Sequence, residues 1–227
     1  MQVGYEWNLS GKEIQMKPYY QNESVTLYHG DCLEVLPELG VFDLLLTDPP
    51  YGLPKDSSNG RGKLKNRSFN AGNIQTWDIA PDGITLDLLI KSAVQHIIWG
   101  GNYFELPPCR CFVVWDKCQP WDNFSKCEYA WTSIVKPAKL FKLDTRSYKK
   151  IHPTQKPIQL MEYCIEKVAD KETVTVFDPF AGSGTTGVAC MNLKRKCILV
   201  EMEERYCEIT ANRLQSTEKE LSEKLFY

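Results

Sequence analysis

Short apolar runs, each closed by polar, Gly or Pro residues, recur along the chain with helical patterns between them. Val25–His29 leads into Gly30-Asp31, and residues 43–47 lead into Asp48-Pro49-Pro50-Tyr51. Further runs lie at 96–99, 111–115, 173–177 and 196–200. Apolar runs of this length suit parallel strands covered on both faces. Residues 84–94 place Leu86, Leu89, Ile90 and Ala93 on one helical face, and 155–169 do the same with Ile158, Met161, Ile165 and Val168. The alternation predicts a single α/β domain with a doubly wound, mostly parallel sheet. Its final strands, from residues 111–143, are expected to be antiparallel.

A chain of 227 residues is long enough to bury an ordinary core. Hydrophobic residues at 43% and charged residues at 25% exclude wholesale disorder. No run approaches the roughly 18 apolar residues of a membrane-spanning helix, and no basic-then-apolar leader opens the sequence, so a soluble cytoplasmic protein is expected. Nine cysteines without a repeating interval read as reduced thiols. Cys109, Cys111, Cys118 and Cys127 lack the paired spacing of a zinc ribbon, and the three histidines are dispersed, so no metal is expected. Residues 1–15 show no periodicity and read as an extension; Met16 resembles a natural start, and 16–227 form the expected domain.

Asp178-Pro179-Phe180-Ala181-Gly182-Ser183-Gly184-Thr185-Thr186-Gly187 follows one strand run and precedes a helical stretch. Gly182, Gly184 and Gly187 complete a G-x-G-x-x-G turn, which brings backbone close to a ligand at a helix N-terminus. Glu201 closes the next strand, 17 residues after Gly184, where a carboxylate can accept from ribose hydroxyls. A P-loop is excluded because Val188-Ala189 follow Gly187 instead of Lys-Ser/Thr. A dinucleotide pyrophosphate is opposed by the Asp178 charge. A sulfonium and an ammonium welcome it. A turn used only for packing is the bland alternative.

Asp48-Pro49-Pro50-Tyr51 ends another strand run. Two prolines fix the backbone and remove its donors, leaving a carboxylate and the Pro49 carbonyl as rigid acceptors before an aromatic face. That set suits a planar amine, and a plain Pro-Pro turn is the alternative.

These motifs resemble those of S-adenosylmethionine-dependent DNA amino-methyltransferases, the adenine-N6/cytosine-N4 family. Asp48–Tyr51 resembles its catalytic motif and Phe180–Gly184 its cofactor motif. His152-Pro153-Thr154-Gln155-Lys156-Pro157 and Gly30-Asp31, with Leu33 and Leu36, resemble two further signatures. The order, catalytic motif first, is similar to the permuted β group. The resemblance spans about Val25 to Leu214 and implies a Rossmann-like methyltransferase fold. It implies that Asp178, Phe180, Gly182, Gly184 and Thr185 surround the methionine part of S-adenosylmethionine and Glu201 its ribose. Asp31 and Cys32 would lie near the adenine ring, and Thr154 and Lys156 near the cofactor carboxylate. Asp48, Pro49, Pro50 and Tyr51 would form the catalytic set, with Tyr51 stacked on a base flipped from its duplex. Asp at the first catalytic position leans toward adenine N6 over cytosine N4. Cys109, after Pro108, reads as a strand-edge cysteine and not as a covalent nucleophile.

The net charge of −2 hides segregation. Lys55, Arg61, Lys63, Lys65 and Arg67 face Asp56 alone, and Lys136, Lys139, Lys142, Arg146, Lys149 and Lys150 face Asp144 alone. Two basic blocks on an acidic body suggest double-stranded DNA as partner, bound through phosphate neutralisation. Residues 52–75, rich in Gly, Asn, Ser and Lys, are expected to be a mobile DNA-contacting loop. Residues 116–150, with Trp121, Tyr129 and Trp131, occupy the position of the family's target-recognition region. Trp99-Gly100-Gly101-Asn102-Tyr103 serves either the base pocket or the core. A second copy of the chain and a cognate nuclease complete the set of candidate partners, in a bacterial or phage-infected cytoplasm. An RNA or protein amide methyltransferase and an inactive nucleic-acid-binding module are the rival functions.

Overall fold

The computed structural model describes residues 16–52, 79–121, 124–148, 155–171 and 173–224. Among them run β1 (Tyr20–Gln21), β2 (Val25–His29), α1 (Cys32–Val35), β3 (Phe42–Thr47), α2 (Gly83–Lys91), β4 (Ala93–Trp99), β5 (Phe112–Asp116), β6 (Cys127–Thr132), β7 (Lys139–Lys142), α3 (Ile158–Tyr163), β8 (Thr175–Asp178), α4 (Thr185–Asn192), β9 (Lys196–Glu201) and α5 (Glu204–Lys224). The strands form one sheet in the order β1-β2-β9-β8-β3-β4-β6-β5-β7.

The strands between β2 and β4 in that order are parallel. Their side chains alternate between two apolar layers, which explains why each reads as a continuous hydrophobic run. Leu44, Leu46, Ile97, Trp99, Val176, Cys197 and Leu199 join α3, α4 and α5 through Leu160, Met161, Val188, Ala189 and Leu214. Leu45, Ile98, Phe177, Ile198 and Val200 face the other way, onto Cys32, Val35 and Leu89. Phe42 and Phe177 stack at 4.7 Å in that second layer. Each fully buried large side chain stabilises by roughly 1.5–3 kcal/mol relative to exposure.

Two sequence expectations shift. Of the strands from residues 111–143, only β6 runs antiparallel to its neighbours; β7 pairs with β5 in parallel. Because β6 sits between β4 and β5, its far edge is taken, and the returning chain adds to the free edge of β5. The helix expected from 155 begins at Ile158, since Pro157 is extended at φ −63°, ψ 144° and forces the preceding residue out of helical geometry. A π turn over Cys164–Val168 then ends it.

The chain leaves β3 toward α2 and β4 on one side, and leaves β8 toward α4 and β9 on the other. A crevice therefore opens beyond the carboxyl ends of two adjacent strands, at the topological switch point of the sheet. No helix among the described residues is long and apolar enough to cross a membrane.

Candidate active site

The crevice is a cavity of about 820 Å³. Asp48, Pro49, Pro50 and Tyr51 enter it from the tip of β3, and Asp178, Phe180, Gly182 and Thr185 from the tip of β8 and the start of α4. Asp31 and Cys32 line it beyond β2, Glu201 beyond β9, and Glu128 and Lys156 from β6 and the approach to α3. Residues separated by more than a hundred positions thus share one space.

Asp178 fastens its two sides. Its carboxylate accepts from the Thr47 hydroxyl at 2.8 Å, the Thr186 hydroxyl at 2.6 Å and the Phe180 amide at 3.2 Å. Burial still raises it to about 6, against the pull of those hydrogen bonds. Glu201 accepts from the Gly182 amide at 2.7 Å and the Glu203 amide at 2.9 Å. Burial raises Glu201 as well, with the two amides opposing. Asp31 caps α1 by accepting from the Leu33 amide at 2.8 Å. Cys32 is buried, and burial pushes its thiol to about 12, which makes it a contact surface and not a nucleophile.

The three glycines of the turn have different work. Gly182, at φ +53°, would meet nothing within 4 Å with a Cβ, so its backbone is bare toward the cavity. Gly184 is set back from the lining at φ +74°, and its Cβ would lie 2.5 Å from Thr210 Cγ2. Its missing Cβ is therefore what lets the turn pack against α5. Gly187 packs similarly, 2.8 Å from Leu199 Cδ1.

Among the described residues, the acidic end of the cavity, with Asp31, Asp178, Glu201 and Glu203, is lined by neither lysine nor arginine; the two lysines described in the lining, Lys117 and Lys156, both pair with Glu128. This donor set, with the bare Gly182 backbone and the Phe180 and Tyr206 rings, fits S-adenosylmethionine and opposes a pyrophosphate.

The other end centres on Asp48. Lys156 Nζ lies 2.5 Å from its Oδ2 and 2.9 Å from Glu128 Oε2, while Glu128 Oε1 holds Lys117 at 2.5 Å. The Tyr51 hydroxyl donates to Asp48 Oδ1 at 2.6 Å. Burial alone would lower the Lys156 ammonium; Asp48 first, then Glu128 and Tyr51, reverse this and hold it above the ordinary lysine value. Burial, with the Asp48 charge, raises the Tyr51 phenol. Burial would raise Glu128, but Lys156 and then Lys117 bring it below the ordinary range. Lys156 was expected at the cofactor carboxylate. In the structure its ammonium turns to Asp48 and Glu128. Glu128 escaped sequence reading, since one carboxylate in a mixed strand carries no motif.

Tyr51 stacks on Tyr103 at 4.7 Å and packs over Gly100, whose φ of +69° and missing Cβ make room for the ring. Trp99 is fully buried in the core. In the stretch 99–103, Trp99 is core, while Gly100 and Tyr103 hold the Tyr51 ring.

The family model for DNA methylases matches residues 98–212. The chain belongs to the DNA methylase family. Type II methyltransferase M2.LlaDCHI of Lactococcus lactis subsp. cremoris is 27% identical, covering 90% of this chain and 94% of that protein. Type II methyltransferase M2.DpnII of Streptococcus pneumoniae is 26% identical over 91% and 95%. Among solved structures, the M1.HpyAVI–SAM complex superposes with a TM-score of 0.56 at 23% identity, covering 84% of this chain and 100% of that one. PvuII DNA methyltransferase, cytosine-N4-specific, gives 0.59 at 18% identity over 88% and 89%. At these identities the superpositions establish the shared Rossmann-like fold.

Other expected site residues of this DNA methylase fall apart spatially. Lys136 donates to the carbonyls of Val168 and Ala169 and pairs with Asp170 at 3.0 Å, capping the end of the π turn. Because β6 runs antiparallel, its exit and Lys136 lie at the opposite ends of the strands from the cavity, as does Lys139 at the start of β7. Both are thereby removed from the rim where DNA was expected. Trp131 is buried, its indole donating to the Pro107 carbonyl at 2.7 Å, and so belongs to the core. Arg146, on the cavity side, clasps Asp144 and lies 5.7 Å from the exposed Trp121 ring. Cys109 is half-buried against the Tyr129 hydroxyl at 3.4 Å and is outside the cavity lining. Lys55, Arg61, Lys63, Lys65, Arg67, Lys149 and Thr154 lie outside the described residues.

Proposed function

We propose that this chain transfers the methyl group of S-adenosylmethionine to the exocyclic N6 amine of an adenine flipped from double-stranded DNA. The observation that carries this reading is the single cavity shared by the Asp48 carboxylate and the bare backbone of Gly182. The cofactor, held by Gly182, Phe180, Thr185 and the Asp31, Asp178 and Glu201 carboxylates, supplies a methyl group made electrophilic by its positive sulfur.

An N6 lone pair is delocalised into the purine ring and is a poor nucleophile. Asp48 Oδ1 and the Pro49 carbonyl accept the two N–H groups and favour a pyramidal nitrogen, which localises the lone pair. The acceptors are fixed before the base arrives, so little reorganisation is needed at the moment of reaction. Tyr51 and Tyr103 offer aromatic faces to a base that has lost its stacking partners. Asp48 acts as an acceptor and need not remove a proton before transfer.

Purified chain incubated with DNA and labelled S-adenosylmethionine, followed by nucleoside digestion and mass spectrometry, tests the reading. N6-methyladenine is the expected product. N4-methylcytosine would move the base assignment, and label in RNA or protein with none in DNA would overturn it.

A further inference from the structure

The cavity holds a buried cation that the reaction as described does not require. Lys156 has 5% of its side chain exposed and touches two carboxylates, Asp48 Oδ2 and Glu128 Oε2. Lys117 balances the second carboxylate, so Lys117, Glu128, Lys156 and Asp48 form a chain of alternating charge with no net excess. The Trp99 ring, 5.7 Å from Nζ, closes one side of this ammonium, and the Tyr51 ring lies at 5.9 Å.

We propose that Lys156, braced by Glu128, is a positioning residue for Asp48: it occupies Oδ2 and leaves Oδ1 turned toward the substrate amine. This rests on the methyl-transfer reading above and deepens it. A carboxylate on a strand-end loop can rotate about its terminal bond, which would smear the acceptor direction. An ammonium fixed by two anions stops that rotation. The Tyr51 hydroxyl bonded to Oδ1 at 2.6 Å occupies the acceptor that the amine will use and shows that this oxygen is open to a donor from the cavity.

Charged and titratable groups facing Asp48 and Lys156 are Tyr51, Glu128, Lys117, Tyr148 and Asp178, with Tyr148 raised to about 12 by burial and by Glu128.

The experiment compares wild type with Lys156→Met and with Lys156→Met/Glu128→Gln, the double variant removing both charges so that no lone anion from Glu128 compromises folding. Lys156→Arg, which keeps the cation, is measured beside them. Affinity for S-adenosylhomocysteine is measured by calorimetry, and single-turnover methyl transfer at saturating cofactor and duplex gives the rate of the chemical step. The expected result is cofactor affinity within about threefold of wild type, transfer at saturation about tenfold slower in both methionine variants, and recovery of most of that loss in Lys156→Arg. A wild-type-like rate at saturation in a folded Lys156→Met variant overturns the proposal. So does a loss of cofactor affinity with transfer preserved at saturation, which would return Lys156 to the cofactor carboxylate. Failure of wild type itself to methylate DNA would instead sink the underlying reaction, and with it the amine-facing role of Oδ1.

Discussion

The Thr47 hydroxyl donates to Asp178 Oδ1 at 2.8 Å, joining the last residue of β3 to the last residue of β8. The bond ties the strand that presents Asp48 to the strand that presents the glycine turn. Reaction geometry between these two tips is thus set by a contact one residue behind the chemistry on one side.

That bond involves a carboxylate whose folded value, about 6, lies above the usual Asp value. Between about pH 4 and 6 the folded state binds more protons than the unfolded state, so this group lowers stability as pH rises through that window. The cost at neutral pH is on the order of 2–3 kcal/mol. Asp178→Asn should flatten this part of the stability profile, measured by urea unfolding from pH 4.5 to 7 as the difference between wild type and variant. An unchanged difference across the window would refute the buried-anion description.

Asp48→Ala should remove methyl transfer to the limit of detection while S-adenosylhomocysteine still binds. It should also lower stability by about 3 kcal/mol, because Lys156 then loses the nearer of its two described carboxylate partners and shares Glu128 with Lys117. Denaturant midpoints and single-turnover rates measured on the same preparation check both parts.

Gly182→Ala and Gly184→Ala should separate ligand from packing. Each places a side chain at positive φ, which costs about 1–2 kcal/mol. Gly182→Ala adds a methyl group to the cavity wall and should weaken cofactor binding without further loss of stability. Gly184→Ala collides with Thr210 and should destabilise more, with the smaller effect on cofactor affinity. Thermal unfolding with and without S-adenosylhomocysteine distinguishes them.

Tyr51→Phe removes the hydroxyl that rests on Asp48 but keeps the ring stacked on Tyr103. Transfer should stay within a few-fold of wild type. Tyr51→Ala should weaken productive binding by about 1–3 kcal/mol, the value of one base–aromatic stack. Steady-state kinetics on a fixed duplex measure the contrast.

Lys63→Ala with Arg67→Ala should flatten the dependence of DNA affinity on salt by about two charges' worth, near 0.9 per phosphate contact. Lys136→Ala should leave that slope alone and reduce stability, since its ammonium caps two carbonyls at the far end of the sheet. Fluorescence anisotropy across a salt series reads both.

The sequence exposed what backbone physics dictates locally. Runs buried on both faces marked the parallel strands, and strand tips ending in Asp-Pro-Pro-Tyr or a glycine turn marked the two halves of the site. It did not expose what depends on strand direction. Lys136 and Arg146 belong to one basic block, yet the antiparallel β6 and the edge position of β7 send them to opposite ends of the sheet. Glu128 shows the same limit. Its role comes from Lys117 and Lys156 meeting it across elements, which no spacing along the chain encodes. Gly182 and Gly184 share positive φ, which does not tell the open neighbourhood of the first from the crowded one of the second.

The reversed direction of β6 has a further effect. Lys117, just after β5, lines the cavity, and the first residues of β6 bring Glu128 to the same wall. The two halves of that ion pair therefore come from the two sides of one chain reversal, and the ladder between β5 and β6 holds them together whatever the length of the connection.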